Sequence, residues 1–208
     1  MRTYPDLLVS RRFWGYCLCL AFSIGGFFAF ITGAPLVAAA WFDLNPALLG
    51  LGIGIISFGF MFGNFITGYF ANRVSLTNLI LAGRLAAVLG PLMGLCLFLA
   101  GQGSIQVFFG SAIAVGFGNG LTVANASAGL MSVRPHLAGS ASGLSGAITV
   151  ALGAVMTSGT GWLVTVQNAP FMVLAIILIT GIGALAAALY VRWLDIHDPL
   201  EETLDETA

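Results

Sequence analysis

Apolar residues run through this chain in six long blocks, without the alternation of a strand or the one-sided stripe of a surface helix. The first extends from about Phe13 to Val37, the second from Pro46 to Phe70 and the third from Thr77 to Ala100. The fourth covers Ile105 to Val133, the fifth Leu137 to Val164 and the sixth Pro170 to Leu194. A helix crosses hydrocarbon with about 20 apolar residues, and each block supplies them. Short polar breaks separate the blocks: "WFDLNP", "ANRVSLTN", "GQGS", "VRPH" and "VQNAP". Asn45-Pro46 and Asn168-Ala169-Pro170 read as helix starts, because proline loses nothing in a first turn. Helices are preferred to a β-barrel, whose strands would alternate over about 10 residues.

Composition agrees with that reading. The chain is 59% hydrophobic and 7% charged, with a mean hydropathy of +1.01. A soluble globule carries about a quarter charged residues, so this chain could not cover a watery surface with its own side chains. The expected fold class is all-α and membrane-embedded. A signal peptide is disfavoured despite Arg11, Arg12 and the cleavage-like "VAAA", since the first block far exceeds an h-region of about 7–15 residues. Cys17, Cys19 and Cys96 are odd in number and lie inside apolar blocks, which favours buried thiols over disulfides. His136 and His197 are far apart, so no metal or other cofactor is expected. "GFGNG" sits inside an apolar block with no preceding strand, which argues against a nucleotide loop. Neither a nucleic-acid partner nor an enzyme active site is expected, for no nucleophile or acid–base pair lies at membrane depth.

Charge then assigns the sides. All positive side chains other than histidine are arginines. Arg2, Arg11 and Arg12 precede the first block, Arg73 and Arg134 fall in the second-to-third and fourth-to-fifth breaks, and Arg192 ends the sixth. These segments share one side of a six-helix path, the positive-inside pattern with both termini cytoplasmic. Arg84 is the exception, about two turns into the third block. Two readings are open: snorkelling to the headgroups, which is preferred, and a functional cation in the bundle.

Small and polar residues add a second layer. Gly50 and Gly54, Gly59 and Gly63, Gly116 and Gly120, and Gly139 and Gly143 are each spaced for close helix packing. Asn119, Thr122 and Asn125 form a polar stripe on the fourth block; Ser142, Ser145 and Thr149 form one on the fifth, and Ser57, Met61 and Asn64 one on the second. Polar groups at membrane depth face other helices or a watery cavity. Each residue alone fits an interhelical hydrogen bond, but three stripes together favour a shared cavity. Phe22, Phe27, Phe28 and Phe30 could supply an aromatic wall or face lipid.

"RRFWGYCLCLAFSIGGFFAFITGAPLV", with "SVRPHLAGSASGLSGA" far downstream, resembles the second half of a bicyclomycin-resistance (Bcr/CflA) drug:proton antiporter of the major facilitator superfamily. "GYFANRVSLTN" resembles that superfamily's cytoplasmic loop motif less well. Gly68, Ala71 and Arg73 fit it, while Asn72 stands where aspartate is usual, and Ser75, Leu76 and Thr77 depart from it. The resemblance implies half of a rocker-switch transporter built as a three-plus-three inverted repeat, with triplets at residues 13–100 and 105–194. It also implies that the first, second, fourth and fifth helices line the pathway. Arg134 and His136 would fix a cytoplasmic connection, Pro135 would stop the fourth helix, and Gly139 and Gly143 would let the fifth pack closely while it rocks.

The expected organisation is therefore a cytoplasmic loop remnant at 1–12, a six-helix bundle at 13–194 and an acidic cytoplasmic tail at 195–208. "PDLLVSRR" reads as the end of a central loop. The expected function is export of amphiphilic drugs across a bacterial inner membrane by alternating access. No Asp or Glu falls at membrane depth, so protons are expected to couple through a missing first half. The expected partners are lipid, a small amphiphilic drug and a second six-helix half or a homodimeric copy. The alternative is a truncated six-helix membrane protein with no autonomous transport.

Overall fold

The computed structural model describes residues 7–71 and 73–198. It contains α1 (Arg11–Phe42), α2 (Pro46–Phe70), α3 (Leu76–Leu99), α4 (Ile105–Ser132), α5 (Ala138–Leu163) and α6 (Ala169–His197), with a 3₁₀ turn at Pro135–Leu137. Among the described residues, six helices are long and apolar enough to cross a membrane. The protein is a multi-pass membrane protein, and the fold is the all-helical one expected.

Four helix starts use the same chemistry. The side chains of Ser10, Asn45, Ser75 and Ser104 accept from the backbone N–H groups of Phe13, Leu48, Asn78 and Val107, satisfying donors that hydrocarbon could not. Asn168 behaves differently. Its Oδ1 accepts from Thr165 N–H at 2.7 Å and its Nδ2 donates to Leu163 C=O at 3.2 Å, so it closes the α5–α6 turn instead of capping α6. Two helices exceed their expected spans. α1 continues through Trp41 to Phe42 and stops only where Asp43 turns left-handed, at φ 48°. α6 continues past Leu194 to His197.

The contacts fix the relative directions. Gly15, Gly26 and Gly33 of α1 meet Val191, Thr180 and Val173 of α6, so those helices are antiparallel. Gly83, Gly90 and Gly94 of α3 meet Gly118, Ala114 and Ser111 of α4 in the same antiparallel sense. α2 instead runs parallel to α4, with Gly52 against Phe109 and Gly63 against Phe117 and Gly120. α5 runs parallel to α1, with Gly25 against Met156 and Gly33 against Thr160. The most extensive interfaces are α3–α4, α1–α6, α2–α4 and α1–α5, followed by α3–α6 and α1–α4. Exchanging the triplets α1–α3 and α4–α6 maps this set onto itself, which is the signature of an inverted repeat. The helix directions place the segments holding Arg11, Arg12, Arg73, Arg134 and Arg192 at one end of the bundle.

The glycines divide by what they face. A Cβ on Gly118 would lie 2.2 Å from the carbonyl oxygen of Gly83, and one on Gly120 would lie 2.3 Å from that of Phe60. Gly116 and Gly63 are as tight against the backbones of Ile56 and Phe117. Gly139 and Gly143 differ from the expectation: a Cβ there meets nothing within 4 Å among the described residues, and the same holds for Gly50 and Gly54. Spacing alone does not say which face of a helix is covered, and within this chain that face of α5 is not.

Two apolar layers hold the bundle. One, at the arginine-bearing end, gathers Phe13, Tyr16, Leu20, Ile80, Leu130 and Val191. The other gathers Phe30, Ile56, Phe98, Phe108, Phe109 and Val173. At the arginine-bearing end Arg12 pairs with Asp195 and also donates to the carbonyls of Leu194 and Asp198. Thr77 Oγ1 donates to the second oxygen of Asp195 at 2.7 Å. This ties together the ends of α1, α3 and α6. The aspartate belongs to the last helix, not to the acidic tail. Asp195→Ala leaves the mostly buried Arg12 without its carboxylate, and we expect a loss of about 1–3 kcal/mol, read as reduced resistance to thermal unfolding in detergent. An unchanged melting temperature would dismiss the tie.

Candidate functional site

α1 and α4 cross at the centre, with Tyr16 against Gly129, Ser23 against Asn119 and Phe30 stacked on Phe108 at 5.7 Å. A groove flanks this pair on each side. The first, of about 230 Å³, is lined by Ile24, Phe27, Ile56, Ser57, Phe60, Gly116, Asn119 and Val123. The second, of about 360 Å³, is lined by residues including Ile24, Phe28, Val123, Ser142, Ser145 and Thr149. Both share Ile24 and Val123. Together they occupy α1, α2, α4 and α5, and the triplet exchange converts one into the other. Their walls are apolar, broken by isolated hydroxyls and one amide, and several lining side chains are exposed. Such a surface takes up a greasy molecule while offering few fixed hydrogen bonds.

Behind the first groove lies a buried cation. Arg84 is 1% exposed. Its Nε donates to Thr122 Oγ1 at 2.8 Å, its Nη1 to Ser23 Oγ at 2.8 Å and its Nη2 to Asn119 Oδ1 at 2.7 Å. Snorkelling is therefore overturned: the side chain points into the bundle, between α1 and α4. Three acceptors within 2.7–2.8 Å satisfy it there, as a buried cation requires. Ser23 and Thr122 are held in place by donating to the carbonyls of Cys19 and Gly118.

The residues singled out in the sequence fall into several settings. Ser57, Asn119, Phe28, Ser142, Ser145 and Thr149 line the grooves. Thr122 and Asn125 do not: Thr122 is wholly enclosed beside Arg84, and Asn125 donates to Leu121 C=O at 2.6 Å and to Thr67 Oγ1 at 3.4 Å. Asn64 is half-buried and donates to Phe60 C=O one turn back, while Met61 is exposed. Phe22 turns the other way and lies over Gly183 of α6. Phe27 joins the first groove and Phe30 the core. Phe60 of the first groove went unnoticed in the sequence, where it is one of many phenylalanines. At the arginine-bearing end, Arg73 sits over the Tyr69 ring at 5.2 Å, Gly68 meets open space, and Arg134 and His136 are exposed. Asn72 lies outside the described residues. Cys17 and Cys19 are buried and Cys96 is exposed; all are free thiols.

Six spanning helices paired as an inverted repeat, with two related grooves flanking α1 and α4, define one half of a major-facilitator architecture. The comparisons agree. The chain is 27% identical over 157 residues to the protein named "Uncharacterized MFS-type transporter YdgK" of Bacillus subtilis, covering 76% of this chain and 39% of that protein. It is 29% identical over 160 residues to the "Bicyclomycin resistance protein homolog" of Haemophilus influenzae, again covering 76% of this chain and 39% of that protein. No protein-family model matches. The likeness to the bicyclomycin-resistance group of the major facilitator superfamily thus rests on relatives as well as on motifs. The chain spans about two-fifths of the length of the curated relatives it matches.

Proposed function

We propose that this chain is the C-terminal half of a drug:proton antiporter that exports amphiphilic compounds across a bacterial inner membrane by alternating access. The observation that carries the reading is the pair of apolar grooves flanking α1 and α4, related by the repeat and sharing Ile24 and Val123. A second six-helix half, or a second copy of this chain, would close them. The open glycine face of α5, at Gly139 and Gly143, offers it a close-packing surface. The described acids, Asp43, Asp195 and Asp198, all lie at helix ends, so the titrating carboxylate belongs to the other half. Both termini lie in the cytoplasm, on the positive-inside argument.

A specific observation also favours the alternative of no autonomous transport: the chain matches only about two-fifths of each relative. One experiment separates the two. Proteoliposomes holding this chain alone should show no proton-driven drug uptake, and those holding it with the N-terminal half of a bicyclomycin-resistance relative should. In the paired protein, Ser57→Trp and Ser142→Trp, at exposed groove positions, each fill a groove and should lower transport about tenfold or more. Unchanged transport in both would remove the grooves from the pathway. No transport in any pairing would leave the alternative.

A further inference from the structure

We infer that Arg84 sets the charge preference of the first groove, which takes neutral or anionic amphiphiles and disfavours cationic ones. This deepens the proposed function and rests on the grooves being the binding surface.

Arg84 lies eight residues into α3, about 12 Å along the helix axis, and hydrocarbon is about 30 Å thick. The guanidinium is thus well inside the membrane span. An arginine there is costly and calls for an explanation. Its partners are Ser23, Asn119 and Thr122, all neutral. No carboxylate of the described residues lies at that depth: Asp195 is engaged by Arg12 and Thr77 at the arginine-bearing end, Asp198 follows it, and Asp43 is at the far end of α1. Hydrogen bonds to neutral acceptors hold the guanidinium but do not cancel its charge.

That charge is one side chain away from the groove. Asn119 accepts from Arg84 on one side and lines the first groove on the other. The intervening medium is packed protein, where a charge is felt far more strongly than in water. The other lining residues of this groove are uncharged, so nothing in its wall opposes the field. The second groove, on the α5 side, does not include Asn119 among its lining residues.

The test uses the full chain in nanodiscs of zwitterionic phosphatidylcholine, with protein-free discs subtracted. Three fluorescent probes share one apolar body: 8-anilinonaphthalene-1-sulfonate, neutral N-phenyl-1-naphthylamine, and an analogue carrying trimethylammonium in place of the sulfonate. The anion should bind about tenfold or more tightly than the cation, with the neutral probe between them. Ser57→Trp should remove this binding for all three. Arg84→Gln should abolish the preference. Ser57→Asp leaves Arg84 in place but puts a carboxylate on the α2 side of the same groove, and it should narrow or reverse the order even if Arg84→Gln fails to fold. Equal wild-type affinities for anion and cation, all lost in Ser57→Trp, would overturn the inference and leave the groove as a binding site. Binding indifferent to Ser57→Trp would overturn both.

Discussion

Gly118→Leu should prevent the bundle from forming. A Cβ at that position would lie 2.2 Å from the Gly83 carbonyl oxygen, and one at Gly83 would lie 2.5 Å from that of Gly118. The obstacle on each side is backbone, not the flexible end of a side chain. The two helices can only part, and in lipid there is no hydrophobic gain to hold parted helices together. Overpacking a tight site costs about 1–3 kcal/mol, sometimes more; here we expect at least ~3 kcal/mol and little monodisperse protein on size exclusion. Gly143→Leu is the control. Its Cβ meets nothing within 4 Å, so this chain should fold normally with leucine there. Equal behaviour of the two variants would discredit the assignment of faces.

The second large effect concerns Asn119→Leu. The side chain is of similar size, but Arg84 Nη2 loses its acceptor at a site that water barely reaches. A hydrogen bond to a charged group is worth about 1.5–3 kcal/mol, and an orphaned buried charge costs more than a neutral group. We expect a loss of about 2–4 kcal/mol, seen as a lower thermal midpoint in detergent. Asn119→Asp should keep most of the stability, because the carboxylate accepts from the same nitrogen. If leucine and aspartate proved equally stable, the bond would have no part in holding the helices.

The spans and their directions were readable from the chain because hydrocarbon imposes them. A block of the required length is visible without any partner, and arginines at alternate breaks mark one end of the bundle. Helix partners are another matter. Arg84 finds its acceptors 35, 38 and 61 residues away in sequence. A hint was present, since Ser23, Asn119 and Thr122 sit at similar depth, but only the packing aims the guanidinium at them. Glycines spaced by four are alike in sequence at 116 and 120 and at 139 and 143. The first pair is pressed against α2 and the second is bare, and the difference lies wholly in which neighbour arrives. Asp195 escaped notice for a related reason: a run of acids that continues to the C-terminus reads as one tail, although its first member is a helix residue paired with Arg12. The polar stripe on α4 divides in the same way, with Asn119 facing a groove and Thr122 and Asn125 turned inward.

The swapped pairing of the two triplets has a consequence for biogenesis. α1, α2 and α3 scarcely touch one another; each finds its main neighbours among α4, α5 and α6. A ribosome releasing this chain into the membrane therefore delivers three spans that wait, separately solvated by lipid, until α4 enters between them. Arg84 enters the membrane ahead of Asn119 and Thr122, with only Ser23 of its three acceptors already there, carried by the hydrophobicity of the rest of α3. A chain cut after residue 100 should yield two pieces that are unstable apart and assemble when co-expressed.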